Sequence, residues 1–312
     1  MRRKRFQNKV ATSSFTLPVA TLITLGLWAL GGAGDPFIWL GLIPTGITAY
    51  LLLELNNRNA LIRIRSRLTT ALYLVLTACN PILHPYKDIE WVVVCVTIAY
   101  YLLFMSYQKT KASGYIFHAF TFIGIGCLFF PQLIFFVPFY YLAMIIQLRS
   151  FTLRSLLASI LGMILPFWLK IGWEFYQDGP RNISMNLKEF CYVSHPNLSF
   201  LNEHQWVTFG LIALFSLIAI LHYTRTNFND KIRTRMLLYV IIIQEFVITA
   251  FLLLQPQHYD VLIHLLIMNS SPLIAHYFTL TNSRTTNIIF IIFISLLIFI
   301  TIYNTWIPSF IF

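Results

Sequence analysis

The sequence predicts an all-α polytopic membrane bundle of about eleven transmembrane helices, with its N-terminus inside and its C-terminus outside. Three observations predict it: a composition too apolar for a soluble core, apolar stretches of spanning length from end to end, and basic residues gathered in alternate loops. Of the 312 residues, 58% are hydrophobic and 11% charged, against roughly 25% charged in an average soluble domain. The formal charge of +11 invites a nucleic-acid reading, but its arrangement is that of a membrane protein, which concentrates Lys and Arg in its cytoplasmic loops.

Apolar stretches of roughly 17 to 23 residues, each long enough to cross about 30 Å of hydrocarbon at about 1.5 Å per residue, lie near 15–33, 36–55, 68–85, 89–107, 114–130, 132–148, 153–175, 205–223, 236–255, 259–280 and 286–306. Arg2, Arg3, Lys4 and Arg5 precede the first, and Gly31 and Ala33 stand at its end, a layout shared with signal peptides. Its length and the span that follows at once favour a retained helix. Residues 1–14 therefore read as a basic cytoplasmic tail and 15–312 as a single transmembrane domain. The run 115–148 is too long for one crossing and its strongly polar side chains are His118, Gln132 and Gln147. Pro131 is expected to divide it into a tight hairpin. Two extramembrane segments have appreciable size, an external loop 176–204 and a basic cytoplasmic loop 224–235.

Orientation follows from assigning alternate loops to the two sides. One side collects five basic residues of the tail with Arg58, Arg63, Arg65, Arg67, Lys109, Lys111, Arg149, Arg154, Arg225, Lys231, Arg233, Arg235 and Arg284, which is 18 of the 22 Lys and Arg in the chain. The other holds only Lys87, Lys170, Arg181 and Lys188. Such a split places the first set in the cytoplasm. Eight of the 11 acids fall on the opposite side, and all seven tryptophans sit at the outer ends of their helices, as interfacial anchors or as the lining of a sugar or lipid site. The segments 58–67 and 224–235 suit anionic lipid headgroups at the cytoplasmic face.

From about Phe129 to Pro166 the chain reads FFPQLIFFVPFYYLAMIIQLRSFTLRSLLASILGMILP. On Phe130 and Pro131, the turn Leu148, Arg149, Ser150 and Phe151, and then Arg154, Ala158, Gly162 and Pro166, it resembles a family of bacterial multi-pass inner-membrane proteins with no established activity. Some members carry a carotene-oxygenase label, a chemistry that belongs to a soluble iron enzyme with four histidine ligands and is not reproduced here. The resemblance implies the class and the bacterial inner membrane, and no mechanism.

Four cysteines, Cys79, Cys95, Cys127 and Cys191, show neither a paired framework nor metal spacing, and no cofactor is implied. Two sets of residues are candidates for chemistry. On the outer face Asp35, Asp88, Glu90, Arg181, Glu189 and His195 combine carboxylates fit for general-base work with cations fit for phosphate. That mixture suits an enzyme acting on a polyprenyl- or lipid-linked saccharide in envelope biogenesis, although the short loop around Asp35 departs from polytopic glycosyltransferases. Within the membrane, Glu245 beside Gln244 occupies mid-span of the ninth helix, where an acid costs about 2.5 to 3.5 kcal/mol. In the tenth, Asn269, Ser270, Ser271 and Pro272 interrupt the apolar pattern, with His264 a turn and a half outward. A helix broken there would resemble the discontinuous helices of secondary transporters and flippases. A third reading is a non-catalytic envelope-assembly component.

Overall fold

The computed structural model describes residues 5–31, 36–178 and 200–310, apart from the side chains of Pro36, Asp178 and 305–310. These residues are helical with no strand among them. Along the chain run α1 (Phe6–Thr12), α2 (Thr16–Leu30), α3 (Pro36–Leu40), α4 (Leu42–Asn59), α5 (Leu68–Ala78), α6 (Trp91–Met105), α7 (Ser113–Phe129), α8 (Val137–Ile146), α9 (Leu153–Asp178), α10 (Glu203–Thr226), α11 (Ile232–Leu254), α12 (Tyr259–Leu280) and α13 (Arg284–Phe310).

Each of the eleven expected stretches is predominantly helical among the described residues, but they differ in reach. Seven segments are long and apolar enough to cross a membrane: Phe37–Asn59, Asp88–Met105, Leu153–Gln177, Glu203–Asn229, Ile232–Leu254, Pro256–Leu280 and Arg284–Asn304. α1 and α2 pass that test only together and are bent by 90° at their junction. Leu68–Ala78, Ser113–Phe129 and Pro131–Ile146 are apolar but shorter. Proline sets two of these limits, because the residue before it is driven out of the α region. Asn80 (φ −116°, ψ 90°) precedes Pro81 and Phe130 (φ −138°, ψ 90°) precedes Pro131, so α5 and α7 stop just before them. Beyond Pro131 a 3-10 segment, Pro131–Phe136, lays Leu133 against α7 at Gly126 before α8 begins.

The chain divides into two compact units, one formed by Met1–Lys87 with Asn197–Phe312 and the other by Asp88–Pro196. In the second, α7 packs chiefly on α9 and α6. A Cβ on Gly162 would stand 2.3 Å from the Phe117 carbonyl oxygen, and one on Gly124 2.7 Å from that of Met163. Two glycines facing each other's helix thus let the backbones of α7 and α9 touch, which is how dispersion holds helices together when lipid supplies no hydrophobic drive. α9 runs on through Pro166 without a break. The turn that joins α8 to α9 carries Arg149 at φ 49°, with Gln108 N–H donating to Leu148 O at 2.8 Å.

The first unit is organised around α12. Its stretch VLIHLLIMNSSPLIAHYF carries apolar residues on every side with only isolated polar ones among them, and such a helix is buried all round; the apolar length of α12 is wholly covered. α5, α10, α11 and α1 pack on it. At its C-terminus the last carbonyls have no intrahelical donor, and α1 supplies two. The Gln7 side-chain N–H donates to Phe278 O (2.6 Å) and Thr281 Oγ1 (2.8 Å), and that of Asn8 to Thr281 O (3.1 Å). Nearby, Ser66 donates to Ala11 O and Arg67 to Ser14 O. The two basic segments also meet: Arg63 donates to Asn229 O at 3.2 Å and Arg233 to Asn59 Oδ1 at 3.0 Å.

The tryptophans do not share one environment. Trp168 and Trp173 are exposed, as anchors would be, whereas Trp28 is fully buried. Its indole N–H donates to Ile38 O at 3.0 Å and its ring stacks on His84 at 4.0 Å. His84, in the turn after the 3-10 segment Pro81–Leu83, donates from Nε2 to Ala78 O at 3.0 Å, which leaves Nδ1 as the unprotonated nitrogen.

One expectation follows. Replacing Gln7 by Leu strands buried carbonyls that lipid cannot satisfy, and should lower unfolding stability by about 1–3 kcal/mol, read as a lower melting temperature in detergent.

Candidate functional site

Helical spacing decides which polar groups of α12 can work together. Asn269 and His276 are seven residues apart, two turns, and so share a face, while His264 lies five residues from Asn269 and faces elsewhere. The partners fit that division. Asn269 and His276 turn toward α11 and the loop that leads into it, and His264 turns toward α5. From His264 to His276 the three levels cover about 18 Å of helix rise.

At the middle level, α11 contributes Glu245 and Gln244, both buried. The Asn269 side-chain N–H groups donate to Glu245 Oε2 and to Ile241 O, each at 2.8 Å. Ser216 of α10 stands beside the same carboxyl group. Among the described residues no Lys, Arg or His nitrogen pairs with Glu245. Neutral donors surround a carboxyl that apolar helices have stripped of water, an arrangement that accepts either protonation state without a fixed counter-ion. Neither amide atom of Gln244 has a hydrogen-bond partner among the described residues.

At the level of His264, Tyr73 Oη of α5 and His264 Nε2 are 2.8 Å apart and both rings are buried. At the other end His276 Nε2 lies 2.9 Å from Asp230 Oδ2, with side chains only 5% and 3% exposed. The edge of Tyr223 packs on that imidazole at 5.1 Å. A carboxylate bound to one ring nitrogen fixes the orientation of the imidazole. Arg63, His222, Ser283 and Thr286 join the pair around an open cavity of about 410 Å³.

α12 itself does not break. It continues from Tyr259 to Leu280 through Pro272, which corrects the expectation of a discontinuous tenth helix. The Ser271 hydroxyl donates to Ile267 O at 2.6 Å and Ser270 to the same carbonyl at 3.2 Å, so both hydroxyls are satisfied within their own helix. Ser270 is thereby engaged with its own helix.

Of the outer-face set, Asp35, Arg181, Glu189 and His195 lie outside the described residues, as do Lys188 and Cys191. Asp88 and Glu90 occupy one 3-10 turn ahead of α6, Asp88 exposed and Glu90 buried. In the other unit, Lys87 and Asp260 form an ion pair at 2.5 Å, more than a third exposed on each side. Cys79, Cys95 and Cys127 are buried free thiols, and no group of three His, Cys, Asp or Glu among the described residues is arranged to hold a metal ion. No family model, curated protein or solved structure matches the chain.

Proposed function

We propose that the protein is a proton-linked secondary transporter or flippase of the bacterial inner membrane, with Glu245 as the group that takes up and releases the proton. The observation that carries this reading is the placement of Glu245 among neutral donors, on the flank of a helix that bears polar groups at three depths. A carboxyl held by Asn269 and Ser216 exchanges a proton without breaking an ion pair, and His276 with Asp230 offers a relay group toward the basic end of the unit. Gln244, buried and without a partner among the described residues, supplies donor and acceptor capacity to a passing substrate or water. The kinship expected from residues 129–166 supports the inner membrane, and the 18 basic residues gathered on one side support a cytoplasmic N-terminus, eleven crossings and an external C-terminus.

Two experiments test it. With the full-length chain in liposomes, pH-difference infrared spectra should show a protonated-carboxyl band that titrates and is lost in Glu245→Gln; a Glu245 that never changes protonation would overturn the reading. In cells, Glu245→Gln should leave membrane level unchanged yet abolish complementation, whereas Glu245→Leu should also lower stability by about 0.6 to 2 kcal/mol. Full activity of Glu245→Gln with loss in Asp35→Asn and His195→Ala would instead favour an enzyme acting on a lipid-linked saccharide at the outer leaflet. For topology, reporters fused after Arg65, Arg154 and Arg235 should read cytoplasmic and those after Asp178 and Phe312 external. A cytoplasmic reading after Phe312 would remove one crossing, with the segment around Pro131 the first to re-examine.

A further inference from the structure

α2, α5 and α13 enclose a groove of about 600 Å³ that is apolar over nearly its whole lining. On α13 the lining runs from Phe290 to Thr301, about 16 Å of helix rise, which is half of a hydrocarbon core of about 30 Å. The far end is closed by Thr301 and Cys79, whose groups are bonded to one another, the hydroxyl donating to Sγ at 3.0 Å. At the near end the lining turns polar with Lys9, Ser13 and Thr16, and no acid contributes to it. The 90° bend between α1 and α2 swings Lys9 across this mouth, with Arg5 one turn back along α1. Val19, Ile23 and Ile298 on the rim are about half exposed, so the groove opens sideways toward lipid.

From this geometry we infer that the groove is a binding site for one anionic phospholipid of the leaflet that faces the basic ends of the helices. One acyl chain fills the apolar length, the second leaves through the open side, and the phosphate sits against Lys9. Three features select that occupant. Depth matches a single leaflet and would leave most of a polyprenyl chain outside. An apolar wall without paired polar groups excludes a water-soluble ligand. A cation with no acid beside it at the mouth favours a net negative headgroup over a zwitterionic one, by about fivefold in affinity for one basic residue near the surface.

Native mass spectrometry tests this on the full-length protein, purified in detergent, washed free of bulk lipid and then given equimolar phosphatidylglycerol and phosphatidylcholine. The expected result is one tightly retained lipid per chain, with phosphatidylglycerol favoured about fivefold. Lys9→Gln should abolish the preference while a chain still binds. Ile23→Trp, at a half-exposed rim position that tolerates bulk, should abolish retention of both lipids without lowering the melting temperature of the lipid-free protein; Val19→Trp replaces it if that variant does not fold. No retained lipid beyond what detergent carries over, equal binding of the two headgroups, a preference that survives Lys9→Gln, or a polyprenyl phosphate co-purifying in place of phospholipid would each overturn the assignment. None of these outcomes depends on whether Glu245 exchanges protons.

Discussion

A helix surrounded by other helices inside a bilayer has no water to fall back on, so each polar atom it carries must be answered from within the protein. α12 is under that constraint along its full length, and much of the first unit can be read as the answer. Tyr73 on α5 is set opposite His264, α11 brings Glu245 to Asn269, the loop before α11 brings Asp230 to His276, and the serines turn back on their own carbonyls. Even α1, a helix of seven residues, has its position dictated by the open carbonyls at the end of α12. Where an answer is missing, as at Gln244, the same constraint marks the place as one where a ligand or water would be stabilised.

The apolar segments were legible because bilayer thickness prescribes the length of a crossing, and no other packing scheme repeats such stretches through a whole chain. Their actual reach was less legible. α5 and α7 read as full spans by hydropathy, but Asn80–Pro81 and Phe130–Pro131 end them early for steric reasons that an average over residue types does not register. Pro272 shows the converse, since α12 runs on through it; a proline in an apolar run reports a missing donor and a bulky ring without fixing where the helix stops.

Within the site, Glu245 and Asn269 each stood out as a polar residue in an apolar run, but their contact depends on how α11 and α12 are aligned, which neither segment encodes alone. His276 near its helix end and Asp230 in a basic loop carry no local mark of their pairing, which rests on how the loop before α11 returns to α12. The spacing of seven between Asn269 and His276 was the available signal. Trp28 was obscured by the strength of the belt rule: tryptophan near a helix end is ordinarily an anchor, and nothing local indicates that His84, fifty-six positions later, will cover it.

The Gln7 side chain and the Phe278 carbonyl it bonds are 271 residues apart in the chain. At about 5–20 residues per second of synthesis, α1 leaves the ribosome about 15 to 50 s before its binding site exists. Throughout that interval the whole of Asp88–Pro196 is made and inserted, while α1 has only the membrane surface and its nearest neighbours to rest on. The first unit is therefore assembled by a late clasp between its earliest and almost its latest elements. Nascent chains halted before α12 would carry an N-terminal helix without the carbonyls it caps.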